Sequence, residues 1–124
     1  MLNVVCMNGR LVKDCTLEQV GKDSVKCRFT IAVNRDYKDK EGNYPCDFID
    51  CEVWNAGANF LEEWSLKGDL LSVTGSLRKD TWKDTNGDWQ SRTYVSVSNV
   101  NILSKHEQND EDVKPKNKKS SKRR

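Results

Sequence analysis

At 124 residues, 35% hydrophobic and 32% charged, the chain is long enough for one core and a tail but too short for two domains. No apolar run approaches the roughly 18 residues of a membrane helix, and the opening MLNVVCMNGR lacks the cationic lead and long apolar stretch of a secretory leader, so a cytoplasmic location is expected. Net charge is +2, but eight of the 21 Lys and Arg and four of the 19 Asp and Glu lie beyond Leu103, leaving 13 cations against 15 acids before it; a polyanion would have to be met there by locally placed cations.

Apolar residues recur at period two from about residue 3 to residue 103, predicting strands. The first covers about 3 to 13. In the second, SVKCRFTIAVN, Val25, Cys27, Phe29, Ile31 and Val33 share one face. A polar connection, DYKDKEGNYP (36 to 45), leads to a third strand over 46 to 54. Its stretch DFIDCEVW places Ile49, Cys51 and Val53 inward, and Phe48, Asp50, Glu52 and Trp54 outward. One helix is predicted over 57 to 66, with Phe60, Leu61 and Trp64 on one face and Gly68 just beyond its end. The fourth strand, 69 to 78, turns Leu71, Val73, Gly75 and Leu77 inward, and Gly75 suggests a bend or a close approach. A second polar connection, KDTWKDTNGDWQSR (79 to 92), carries the hairpin pair Asn86-Gly87 and leads to a fifth strand over 92 to 103. Residues 104 to 124 are acidic, then basic, almost without apolar side chains, and are expected to be disordered.

Five strands with a helix between the third and fourth is the plan of the five-stranded OB-fold barrel, so an all-β domain over 1 to 103 and a charged tail over 104 to 124 are expected. The five cysteines include no CxxC pair and the only histidine is His106, which argues against a disulfide framework and a zinc site; Cys27 and Cys51 read as small core residues. The chain has no GxxxxGK phosphate loop and no histidine that could join a nucleophile, so no enzyme, cofactor or metal is expected.

On such a barrel, Phe48 and Trp54 form an exposed platform beside connections carrying Tyr37, Trp82 and Trp89. Unpaired bases stack on rings of this kind without regard to sequence, and Arg10, Arg35, Lys38, Lys79 and Lys83 are candidates for backbone phosphates. Three bland readings compete: Trp54 closing the end of the core, Phe48 buried in a subunit contact, and Trp89 packed on its own hairpin. An OB-fold binder of single-stranded RNA and a protein-interaction adaptor of a replication or conjugation complex are the alternative functions.

The chain resembles the bacterial-type single-stranded DNA-binding proteins and their phage and mobile-element relatives. NVVCMNGRLVKD (3 to 14) looks like that family's first strand, FTIAVNRDYKDKEG (29 to 42) like its second strand and loop, and DFIDCEVWN like its third. LKGDLLSVTGSLR (66 to 78) and YVSVSNVNIL (94 to 103) look like its last two. The resemblance implies sequence-independent binding and protection of single-stranded DNA in replication, recombination and repair. It also implies homo-oligomers, most often tetramers and sometimes dimers, and stacking roles for Tyr37, Phe48, Trp54 and Trp82. Three departures stand out: Cys15 where the family usually has proline, expected only to loosen a turn; Asp50 and Glu52, expected to repel phosphate; and a basic end, KPKNKKSSKRR, in place of the acidic tip that recruits replication and repair proteins.

Overall fold

A computed structural model of the protein describes residues 1–106; the tail beyond them, on which the expectation of disorder falls, lies outside the described residues. Strands β1 (Val5–Leu11), β2 (Leu17–Val20), β3 (Ser24–Asn34) and β4 (Cys46–Trp54) precede helix α1 (Ala56–Trp64), and β5 (Leu70–Lys83) and β6 (Trp89–Ser104) follow it. The sheet runs β1-β5-β6-β4-β3-β2, and a further β1–β3 pairing joins its ends into a ring of five strands, the expected OB-type closure. All pairings are antiparallel except β4 with β6.

Alternation dictates the interior. Cys27, Phe29 and Ile31 of β3, Cys51 and Val53 of β4, Leu71 and Val73 of β5, and Val95 and Val97 of β6 are buried together. Helix α1 closes one end by burying Ala58 and Leu61 against them. Its start is tied to the sheet by Asn55, whose N–H donates to the Val25 carbonyl and whose Oδ1 accepts from the Val25 N–H. Asn55 takes a left-handed φ of 53°, which Asn tolerates better than most residues.

The fold differs from the sequence expectation in two places. Strand β2 was not expected: LEQV shows no alternating core face, yet Gly21, at φ 65°, turns it into a hairpin with β3. Strands β5 and β6 run far past their predicted ends, pairing as far as Lys83 with Trp89, so most of the connection over 79 to 92 is a two-stranded arm. Periodicity missed it because the arm stands clear of the core; Leu77, predicted inward, is half exposed for that reason. The hairpin signal itself holds at the tip, where Gly87 is left-handed and Asp84 Oδ1 accepts from the N–H groups of Asn86 and Asp88. Cys15, which stands where the family usually has proline, is buried in the core, with the Ser65 hydroxyl 3.8 Å from its sulfur.

Beyond β6, Lys105 Nζ reaches the fully buried Asp69 carboxylate at 2.6 Å and the Trp64 carbonyl at 2.7 Å. Asp69 also accepts from the N–H groups of Leu66 and His106, so a buried charge is met by a cation and two amides.

Burial also separates the cysteines. The Cys51 thiol is pushed up to about 12, chiefly by burial and secondarily by Asp50, and a thiol that stays protonated is a poor nucleophile. In the native protein Cys15, Cys27 and Cys51 are expected to resist a thiol-specific chromogenic disulfide and to react only after unfolding. Early modification of any of the three would contradict this packing.

Candidate nucleic-acid interface

The register of β3 against β4 arranges the outward side chains in rows: Lys26 opposite Trp54, Arg28 opposite Glu52, Thr30 opposite Asp50, and Ala32 opposite Phe48. Arg10 of β1 stands across from Ala32 and extends the last row. Phe48 is 66% exposed and Trp54 39%, so both rings stand at least partly clear of the core. Six residue steps along one strand separate their backbone positions, about 20 Å at roughly 3.3 Å per residue.

Trp54 is held in place. Its Nε1–H donates to Glu52 Oε1 at 3.2 Å, and Lys26 Nζ lies 5.4 Å from the ring centroid. Glu52 is where the sequence expectation fails. It points outward, as parity requires, but is only 6% exposed. Its Oε2 lies 3.3 Å from Arg28 Nε, 3.6 Å from Arg92 Nη2 and 3.8 Å from Lys26 Nζ. A carboxylate enclosed by three cations gathers positive charge on this face instead of repelling phosphate. Asp50 remains exposed, with Oδ1 accepting from the Thr30 hydroxyl.

The other expected residues divide between sites. At the Phe48 end, Arg35 grips Asp47 through Nε and Nη2 and donates from Nη1 to the Tyr37 hydroxyl at 2.8 Å, which fixes that ring. Arg35 therefore spends its fork inside the protein, raising its own already high pKa and holding the Asp47 carboxyl below its usual range. Because the folded carboxyl is depressed, the grip is complete above the ordinary carboxylate pKa of about 4 and is lost as pH falls through the folded value. Tyr37 emission is expected to stay constant from pH 8 to pH 5 and to change only in stronger acid; a transition near neutrality would contradict the pairing. Lys38 stands over the Tyr44 ring, 5.7 Å from its centroid.

On the arm, cross-strand partners share a side, and Trp82 pairs with Gln90 whereas Lys83 pairs with Trp89. Trp82 and Trp89 therefore occupy opposite faces. The Trp82 face continues through Arg92 and Tyr94 to Glu52, joining the Phe48 and Trp54 surface. The other carries Trp89, Lys79 and Lys83, with Lys83 Nζ 5.2 Å from the Trp89 centroid. The structure thus brings Arg10, Phe48, Trp54 and Trp82 onto one continuous surface and sets Trp89, Lys79 and Lys83 apart. Lys26, Arg28 and Arg92 are not among the phosphate contacts expected from the sequence; only the strand register turns them toward Glu52.

The sequence profile described as the single-strand binding protein family matches residues 2–103. The chain belongs to this family. A Streptococcus pyogenes serotype M18 protein named single-stranded DNA-binding protein 1 is 34% identical over 107 residues, covering 86% of this chain and 82% of its own. Single-stranded DNA-binding protein 3 of Streptococcus agalactiae serotype V is 31% identical over 103 residues, covering 83% of this chain and 75% of its own. A single-stranded DNA-binding protein of Streptococcus mutans serotype c is 33% identical over 103 residues, and the match spans only 63% of its length. In this member of the single-strand binding family, then, the outward rings of β4 stand on either side of a carboxylate bound by three basic side chains.

Proposed function

We propose that the protein holds single-stranded DNA on the outer face of β3 and β4, stacking bases on Phe48, Trp54, Trp82 and Tyr37, and protects it during replication, recombination and repair. That it is a single-stranded DNA binder follows from its family. The observation that carries the stacking mechanism is the exposure of Phe48 and Trp54 on the polar side of a strand whose other side is core. Arg10 and Lys38 supply phosphate contacts at the Phe48 end, with Arg35 ordering Tyr37. Trp89, Lys79 and Lys83 form a separate patch for a strand that wraps beyond the arm.

A homo-oligomer, most simply a tetramer, fits the open edge of β1, where Val5–Gly9 pair with β5 alone and only Arg10 and Leu11 reach β3. Neither a catalytic activity nor a cofactor is part of this reading. A cytoplasmic setting goes with it, and no helix among the described residues is long and apolar enough to cross a membrane.

Tryptophan emission during titration with oligo-dT tests the proposal. Strong quenching that weakens as salt rises supports it; an unquenched signal, or tighter binding to RNA of equal length, overturns it.

The tail has a separate test. Seven of its Lys and Arg follow four acids within residues 107 to 124. A protein ending at His106 keeps the Lys105–Asp69 pair and should show a shallower salt dependence than the full chain if the tail touches DNA. An identical slope would exclude that contact.

A further inference from the structure

Between the Phe48 and Trp54 platforms lies a cleft of about 210 Å³ lined by Lys13, Arg28, Phe29, Thr30, Asp50, Cys51 and Arg92. We infer that this cleft is a subsite for one backbone phosphate of the bound strand, with Arg28 and Arg92 as its ligands and Glu52 as the residue that positions both.

The inference rests on the single-stranded DNA reading, and three observations support it. A strand stacked on both rings of β4 must carry its sugar-phosphate chain across the interval between them, and the cleft lies in that interval. The local charge is favourable: Lys13, Lys26, Arg28 and Arg92 outnumber Asp50, Glu52 and Asp80, and these carboxylates are already engaged, by Thr30, by three cations and by the Tyr94 hydroxyl. The guanidinium groups are also preorganised. Arg28 is pinned through Nε while its side chain stays 54% exposed. Arg92 lies 4.0 Å over the Tyr94 ring, and the Tyr94 hydroxyl donates to Asp80 at 3.1 Å. Two held planar donors facing one small cleft match the oxygens of a phosphodiester, which arginine meets with paired hydrogen bonds. Glu52 Oε1 orients Trp54 in the same arrangement, so one carboxylate sets both a stacking ring and the adjoining phosphate contact.

Full-length protein and its Arg28→Gln, Arg92→Gln and Arg28→Lys variants, each checked by thermal melting, are titrated with oligo-dT and with an abasic oligodeoxynucleotide of equal length across a salt series. Each glutamine variant should lower the magnitude of the salt slope by roughly 0.7, the value for one phosphate contact on a single strand, and should weaken both ligands. Arg28→Lys should keep the slope. Weaker oligo-dT binding at an unchanged slope would mean that the arginines only support Trp54, and would overturn the subsite. So would wild-type affinity and slope in both glutamine variants, with the DNA-binding reading left intact. Failure of the wild type to bind oligo-dT would remove both readings together. Should Arg92→Gln unfold, the largely exposed Arg28 variant decides the matter alone.

Discussion

Alanine at both Phe48 and Trp54 is expected to weaken binding of oligo-dT by about 2 to 6 kcal/mol, because a base stack contributes about 1 to 3 kcal/mol by alanine substitution. The two positions lie about 20 Å apart along β4, so their losses should add. Anisotropy of a labelled oligomer measures this without relying on the deleted tryptophan. Both side chains project from the outer face, so the thermal midpoint should barely move. A double variant that binds as tightly as Trp54→Ala alone would show that Phe48 holds no base. A double variant that unfolds would return the rings to a structural role.

The second large effect concerns folding. At Gly75 the β5–β6 register shifts: Thr74 faces Asn99, Gly75 faces Val97, and Ser98 is the unpaired extra residue, its hydroxyl turned onto the Thr74 carbonyl at 3.0 Å. A Cβ on residue 75 would collide with the Ser96 carbonyl oxygen and lie 2.8 Å from its carbon. Those are backbone atoms of the partner strand and cannot rotate away. Gly75→Ala is therefore expected to cost about 3 kcal/mol or more, which for a domain of about 100 residues lowers the melting midpoint by more than about 10 °C. Circular dichroism melts of the variant and the wild type check it, and a midpoint within about two degrees of wild type would contradict the close approach.

The barrel could be read from the chain because its core strands obey a strict alternation, as in Val25 to Val33 and Ile49 to Val53. That alternation reflects burial on one side only, so it falls silent wherever a strand is exposed on both sides. The arm from Lys79 to Arg92 is of this kind, and the short β2 packs only Leu17 against the core; both are held chiefly by cross-strand hydrogen bonds and turn residues. Parity also identified Phe48 and Trp54 as outward, because direction from a strand needs no knowledge of its neighbours. The meaning of Glu52 did need neighbours. Its cations come from positions 26, 28 and 92, and only the pairing of β3 with β4 and of β4 with β6 brings them within 4 Å of its carboxylate. Likewise, Cys15 looked like a turn residue until the end of α1 was packed over it.

The pairing of Lys105 with Asp69 has a mechanical consequence. A pull on residue 106 would arrive first at the Lys105–Asp69 ion pair and the amide of His106. Only after those contacts yield would tension reach the β5–β6 ladder, which begins with Leu70 opposite Ser104. Asp69 thus clamps the two residues that follow β6, fastening the end of the last strand to the loop before β5.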